Sequence, residues 1–307
     1  MRSFRVACLL AVILTPVGVM GQDGRVNIRS QDLVFRADTS EVVLHVTVAD
    51  RQDRLVGNLA ERNFRVFEDG HAVDVRFFRQ EDVPVSIGIL IDNSGSMRNK
   101  RLRVNAAALE FVKASNPEDE IFVVNFNDEA YRDTDYTNDP TRIQDALQRI
   151  DSRGGTALYD AIRASLDYLS SKARNEKRVL LLISDGEDNA SKAELEVLVR
   201  ELQESDANQT SIYAIGLLSE EEKGAAKRAA RAIKHLTRAT GGPAYFPATV
   251  DEVTSLMRQI AMDIRNQYTI AYAPVEKPGG GFREIRIDLV DVPKHASVRH
   301  RPGYFVE

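Results

Sequence analysis

Four short, almost unbroken apolar runs recur through the middle of the chain, at Val85 to Ile91, Ile121 to Phe126, Val179 to Ile183 and Ile212 to Leu217. A strand that is apolar at consecutive positions has to be covered on both faces, as happens when helices pack on both sides of a parallel sheet. Between and after these runs lie stretches of helical periodicity: Lys100 to Ala114, Thr141 to Ile150, Ala157 to Ser171, Ser191 to Glu204, Glu221 to Thr240 and Val250 to Arg265. Asp139-Pro140 supplies an N-cap followed by Pro in the first helical turn, and Ser191-Lys192-Ala193-Glu194 reads as a capping box. Strands alternating with helices predict an α/β domain with a doubly wound, mostly parallel, Rossmann-like sheet over residues 84–265.

The flanks follow a different period. Val42, Leu44, Val46 and Val48 alternate with polar neighbours, and Phe64 to Phe67 and Val73 to Phe78 flank an Asp69-Gly70 turn signal. Gln267 to Ala273, Phe282 to Leu289 and Ser297 to Val306 repeat the pattern at the other end. Three strands enclose a core poorly by themselves. We therefore expect the N-terminal β segment, 22–83, and the C-terminal β segment, 266–307, to form one small β-sandwich, with 266–307 pairing with 41–80 and the α/β domain inserted between them. The alternative is two hairpins flanking the domain.

Composition narrows the chemistry. The only Cys of the 307 residues is Cys8, and the five His are scattered, so disulfide scaffolds, thiol catalysis and Cys or His metal clusters are excluded as expectations. A formal charge of -5 argues against a nucleic-acid partner held by phosphate neutralisation. Arg2 and Arg5, the apolar stretch Val6 to Leu14 and the small residues ending at Gly21 resemble a secretory leader over residues 1–21, which places the protein outside the cytoplasm, secreted or periplasmic. A retained membrane anchor is the alternative, although Thr15-Pro16 interrupts a run already short of the roughly 20 residues a span needs. No transmembrane segment is expected after leader removal.

In an open α/β sheet, ligands sit beyond the carboxyl ends of the strands. There the sequence reads Asp92-Asn93-Ser94-Gly95-Ser96-Met97, Arg153-Gly154-Gly155-Thr156-Ala157-Leu158 and Ser184-Asp185-Gly186-Glu187. Asp92, Ser94, Ser96, Thr156 and Asp185 are all oxygen donors, a set suited to a hard divalent cation: Mg²⁺ first, then Mn²⁺ or Ca²⁺, with zinc disfavoured.

This pattern, Asp-x-Ser-x-Ser followed by Thr156 and Asp185, resembles the metal-ion-dependent adhesion site of von Willebrand factor type A (VWA) domains, over about Pro84 to Arg265. Gly241 to Phe246, Asn266 to Tyr272 and the Arg301-Pro302-Gly303-Tyr304 terminus further resemble a bacterial secreted subfamily of VWA-related proteins. The resemblance implies that Ser94, Ser96 and Thr156 bind the cation through their hydroxyls, while Asp92 and Asp185 act directly or through water. It implies a protein ligand whose Glu or Asp carboxylate completes the coordination. In integrin-type members, metal-site rearrangement is coupled to movement of the final helix, here Val250 to Arg265.

The expected function is thus a cation-dependent protein-binding module for adhesion or assembly, and not an enzyme. A structural subunit of a cell-envelope complex, or a metal-dependent hydrolase, are the alternatives; the chain has neither a Gly-x-Ser-x-Gly elbow nor a phosphate loop. Two charged features stand out besides these motifs. Asp128, Glu129, Asp133, Asp135, Asp139, Glu187 and Asp188 make the neighbouring loops acidic, and Lys223, Lys227, Arg231, Lys234 and Arg238 fall on one stripe of a helix.

Overall fold

The computed structural model describes residues 41–149, 152–204, 210–275 and 279–306, all within one unit, Thr39–Glu307. The leader-like segment, Cys8 and residues 22–40 lie outside the described residues. In chain order, β1 is Val42–Ala49, β2 Phe64–Glu68, β3 His71–Val73 and β4 Val75–Gln80. The α/β region follows with β5 Ser86–Asp92, α1 Arg101–Ala114, β6 Glu120–Phe126, β7 Ala130–Thr137, α2 Pro140–Leu147 and α3 Leu158–Lys172. It continues through β8 Arg178–Ser184, α4 Leu195–Gln203, β9 Thr210–Gly216, α5 Lys223–Thr240, β10 Ala244–Tyr245 and α6 Val253–Arg265. The chain closes with β11 Tyr268–Tyr272, β12 Gly281–Leu289, β13 Ser297–Arg299 and β14 Gly303–Val306.

The central sheet has the order β10-β9-β8-β5-β6-β7, parallel except for β7, which pairs antiparallel with β6. Every residue of β5 is buried, as its continuous apolar character requires. Its alternate side chains serve two cores. Ile87, Ile89 and Ile91 pack with Phe111 of α1, Ile143 of α2 and Ile260 of α6. Leu90 on the other face joins Ile162 of α3, Leu198 of α4 and Leu236 of α5. Gly88 sits on that second face because a Cβ there would come 2.5 Å from the Phe122 ring. This is the expected doubly wound α/β class.

The flanking strands form two four-stranded sheets, β13-β1-β11-β4 and β14-β12-β2-β3, and each sheet combines strands from both ends of the chain. Leu44, Val46, Phe64, Val66, Ile270, Tyr272, Ile285 and Ile287 belong to the core between them. β1 runs antiparallel to β11 and β2 to β12, so the α/β region leaves the sandwich after β4 and returns at β11. The Asp69-Gly70 turn closes the β2–β3 hairpin with both residues at positive φ, 48° and 80°. Glu68, fully buried, accepts hydrogen bonds from Tyr272 Oη (2.8 Å), Tyr304 Oη (2.9 Å) and Val275 N (2.9 Å), and so joins strands of both sheets.

Local differences from the sequence reading are informative. The run Val73 to Phe78 is two strands in different sheets, broken at Asp74, and the terminal stretch Ser297 to Val306 divides likewise into β13 and β14. α4 starts at Leu195, with Glu194 at the N-cap position, and the supposed capping box does not form. Ser191 Oγ instead donates to Asp188 (2.6 Å) and accepts from the Asp160 amide (3.1 Å), so the tertiary partner wins over the local cap.

Candidate metal site at the strand ends

Strand order reverses between β5 and β8: β5 connects through α1 to β6 on one side, and β8 through α4 to β9 on the other. The loops after these two strands therefore diverge and leave a crevice at the switch point. Asp92 ends β5 and Asp185 follows β8, so the topology brings the two carboxylates to the crevice.

Asp92 is fully buried, and its Oδ1 accepts from the Ser94 amide (2.8 Å) while its Oδ2 accepts from Ser184 Oγ (2.6 Å). Burial pushes the Asp92 carboxyl up to about 6; the hydrogen bonds from Ser184 and Ser94 pull against that rise and the Asp185 charge adds to it. Ser94 Oγ and Ser96 Oγ lie 3.0 Å apart, and Ser96 Oγ donates to Asp185 Oδ1 at 2.7 Å. Three of the five sequence-identified residues, Ser94, Ser96 and Asp185, are thus linked through side chains, and Asp92 joins them through the Ser94 amide. Thr156 joins them through its loop. Gly95 N donates to Gly154 O (3.2 Å), Thr156 N donates to Asn189 Oδ1 (2.9 Å), and Thr156 Oγ1 would be 3.7 Å from a Cβ added at Gly186. Gly154 has φ +73°, and a Cβ there would come 2.0 Å from Asp128 Oδ2. Asp128 itself accepts from the Gly155 amide at 2.7 Å, so a glycine turn and a carboxylate together fix the approach to Thr156.

Sequence reasoning missed Lys100. Its ammonium, buried, donates to Asp185 Oδ2 at 2.7 Å and stands 3.2 Å from the exposed Glu220. Burial lowers the lysine, but the hydrogen bond and charge of Asp185, with Glu220 behind it, outweigh that and raise it overall. The signal available was a cation four residues beyond Ser96 at the start of α1. Asn189, which holds the Thr156 amide, is likewise absent from the sequence-identified set.

The acidic loops are not a free negative rim. Asp133 and Asp135 lie on the edge strand β7, which lacks the apolar signature of its neighbours and reads as loop in the sequence. Asp133 accepts from Asn125 Nδ2 (2.7 Å), and Asp135 pairs with Arg132 (3.0 Å). Asp139 caps α2 through the Thr141 amide (2.9 Å), Asp188 accepts from the Tyr159 amide (3.0 Å), Glu187 pairs with Arg228 (2.8 Å), and Glu129 accepts from Tyr131 Oη (3.4 Å).

The donor set fits a hard cation on two grounds. Two buried carboxylates, Asp92 and Asp185, have one buried ammonium between them, which leaves a negative charge uncompensated in the interior. The other three donors, Ser94, Ser96 and Thr156, are hydroxyls, oxygen ligands that suit Mg²⁺ rather than zinc; among the described residues no group of three or more His, Cys, Asp or Glu converges.

A doubly wound sheet with this loop cluster at its switch point defines a class: residues 87–187 match the family model of the von Willebrand factor type A domain, and the chain contains such a domain. Domains of this class commonly mediate protein–protein interaction or adhesion. A von Willebrand factor type A structure from Catenulispora acidiphila has a TM-score of 0.52 at 13% identity, covering 87% of this chain and 74% of that one; the likeness is one of fold. Inter-alpha-trypsin inhibitor heavy chain H2 of Mus musculus is 24% identical over 180 residues, 50% of this chain and 19% of that protein. Its counterpart in Homo sapiens is 23% identical over the same shares. The chain spans about a fifth of the length of these curated relatives.

Proposed function

We propose that the protein is an extracytoplasmic module that binds a partner protein through a divalent cation held by Asp92, Ser94, Ser96, Thr156 and Asp185. The observation that carries the reading is the buried pair of carboxylates with a single ammonium, set among hydroxyls at the switch point of the sheet. When bound, Mg²⁺, or Mn²⁺ or Ca²⁺ in its place, would supply a Lewis-acidic position for a Glu or Asp carboxylate of the partner. The chain's own residues do the rest. Lys100 takes up part of the charge on Asp185, so the site stays short of full neutralisation by carboxylate and keeps its pull on an incoming anion. Ser184 and the Ser94 amide orient Asp92, and Asn189 and Asp128 hold the Thr156 loop.

A binding role is favoured over hydrolysis by the placement of possible bases. His45 is on β1, His71 on β3, His235 on α5, and His295 and His300 lie between β12 and β14, all outside the site loops. Location outside the cytoplasm rests on the leader-like sequence of residues 1–21; among the described residues no helix is long and apolar enough to cross a membrane.

The test is retention of cell-envelope proteins on immobilised protein in Mg²⁺, in EDTA, and on the Asp92→Ala and Ser96→Ala variants. The same partner held in Mg²⁺, released by EDTA and absent from both variants is expected. Equal retention in all arms removes the proposal.

A further inference from the structure

Helix α5 carries a charge pattern that the fold does not use. Lys223, Lys227, Arg231, Lys234 and Arg238 are all exposed, and among the described residues none of the five takes part in an ion pair. Their neighbour Arg228, by contrast, grips Glu187 with Nε 2.8 and 2.9 Å from its two carboxylate oxygens. Lys234 has its ammonium 5.2 Å from the Phe246 ring centre. The chain carries a formal charge of -5, so this face opposes the sign of the whole.

Position and spacing define what the stripe fits. α5 follows β9, so it starts at the same edge of the sheet as the loops bearing Asp92 and Asp185. Arg228 ties its first turns to Glu187, two residues beyond Asp185. From there the five cations run about 22 Å along the helix, at steps of about 6 Å for four-residue spacings. Alternate side chains of an extended peptide repeat at about 6.7 Å, close to that step. A membrane-surface helix needs an apolar face free to enter the interface. That face of α5, with Ile233, Leu236 and Ala239, is buried against the sheet.

We propose that α5 is a docking strip for an extended acidic segment of a partner protein, with Asp or Glu at about every second residue. The strip starts at the same edge of the sheet as the cation site, and its use together with the metal rests on the cation-binding reading above. The first acidic side chain of the partner segment engages the metal, and the following acidic residues lie along Lys227, Arg231 and Lys234.

The probe is a fluorescein-labelled peptide of alternating Glu and Ser, followed by anisotropy against the full chain at low salt, with Mg²⁺ and with EDTA. A triple variant, Lys227→Gln with Arg231→Gln and Lys234→Gln, alters only exposed side chains. It is expected to lose about tenfold in affinity, as three surface ion pairs of modest strength imply. A control triple, Arg76→Gln, Arg142→Gln and Arg174→Gln, removes the same charge elsewhere on the surface and should bind as the wild type does. Equal binding by the wild type and the α5 triple overturns the proposal, as does equal loss in the two triples. Binding to phosphatidylserine vesicles that matches or exceeds peptide binding overturns it in favour of a membrane. Wild-type affinity that is the same in Mg²⁺ and EDTA, with the α5 triple still weakened, rejects the metal reading and leaves the strip standing.

Discussion

Asp92 carries an electrostatic conflict in a single side chain. Its carboxyl is pushed from 3.8 to about 6, mainly because it is buried. A carboxyl raised in the folded state favours the protonated native form. Its stabilising contribution is therefore complete below the unfolded value and is lost as pH rises through about 6. The loss is on the order of 3 kcal/mol, from a shift of about two pH units. A divalent cation needs the ionised form and offsets that loss. The metal-free protein should therefore lose stability as pH climbs through about 6, while the rise in melting temperature given by Mg²⁺ should be small below that pH and grow above it. Thermal unfolding across pH with Mg²⁺ and with EDTA measures this, and a Mg²⁺ effect independent of pH contradicts it. The candidate ligands were legible in the sequence because their spacing is local to each loop. Lys100 was not, because its partner Asp185 lies 85 positions away and only the sheet brings them together.

At the scale of elements, the site depends on loops whose backbone is held by other loops. Gly154 is the clearest case, with φ +73° and no room for a Cβ beside Asp128. Gly154→Ala should lower stability by about 1–3 kcal/mol, through left-handed strain and displacement of Asp128. It should also weaken Mg²⁺ affinity by several-fold because the Thr156 loop moves with it. Denaturant unfolding and a metal titration on the same variant check both, and unchanged metal affinity would show that the loop does not set the site. The parallel strands and the helices were readable from apolar runs and helical periodicity. β7 was not: an edge strand reading Ala-Tyr-Arg-Asp-Thr-Asp-Tyr-Thr needs no apolar face of its own when Asn125, Arg132 and Tyr168 satisfy its carboxylates. α6 is tied on several sides. Asp263 pairs with Arg299 of β13 (2.9 Å), Arg258 with Glu110 of α1 (2.6 Å) and Arg265 with Asp82 (2.6 Å), and Lys177 donates to the Ile264 carbonyl. An axial shift of the kind known in integrin-type domains would have to break these contacts.

For the whole molecule, the two chain ends make one sandwich because neither end has enough strands to bury an apolar face. The alternation in Val42 to Val48 and in the C-terminal segments revealed the need for partners; the division of strands between sheets emerged only in three dimensions, where Asp74 and residues 300–302 mark the crossings. The α/β domain is thereby held at both of its ends by the same sandwich, with the strand-end loops at one edge of its sheet and the basic face of α5 leading away from them. The proposed binding at the strand ends turns on whether the crevice between β5 and β8 holds a divalent cation. Calorimetric titration of the purified chain with Mg²⁺ near neutral pH tests that directly, with Asp92→Ala and Ser96→Ala as variants and circular dichroism to establish that they fold. Saturable binding at one site in the wild type, lost in Asp92→Ala and weakened in Ser96→Ala, is the predicted result. Absence of binding by the wild type to Mg²⁺, Mn²⁺ and Ca²⁺, or equal binding by folded Asp92→Ala, would contradict it.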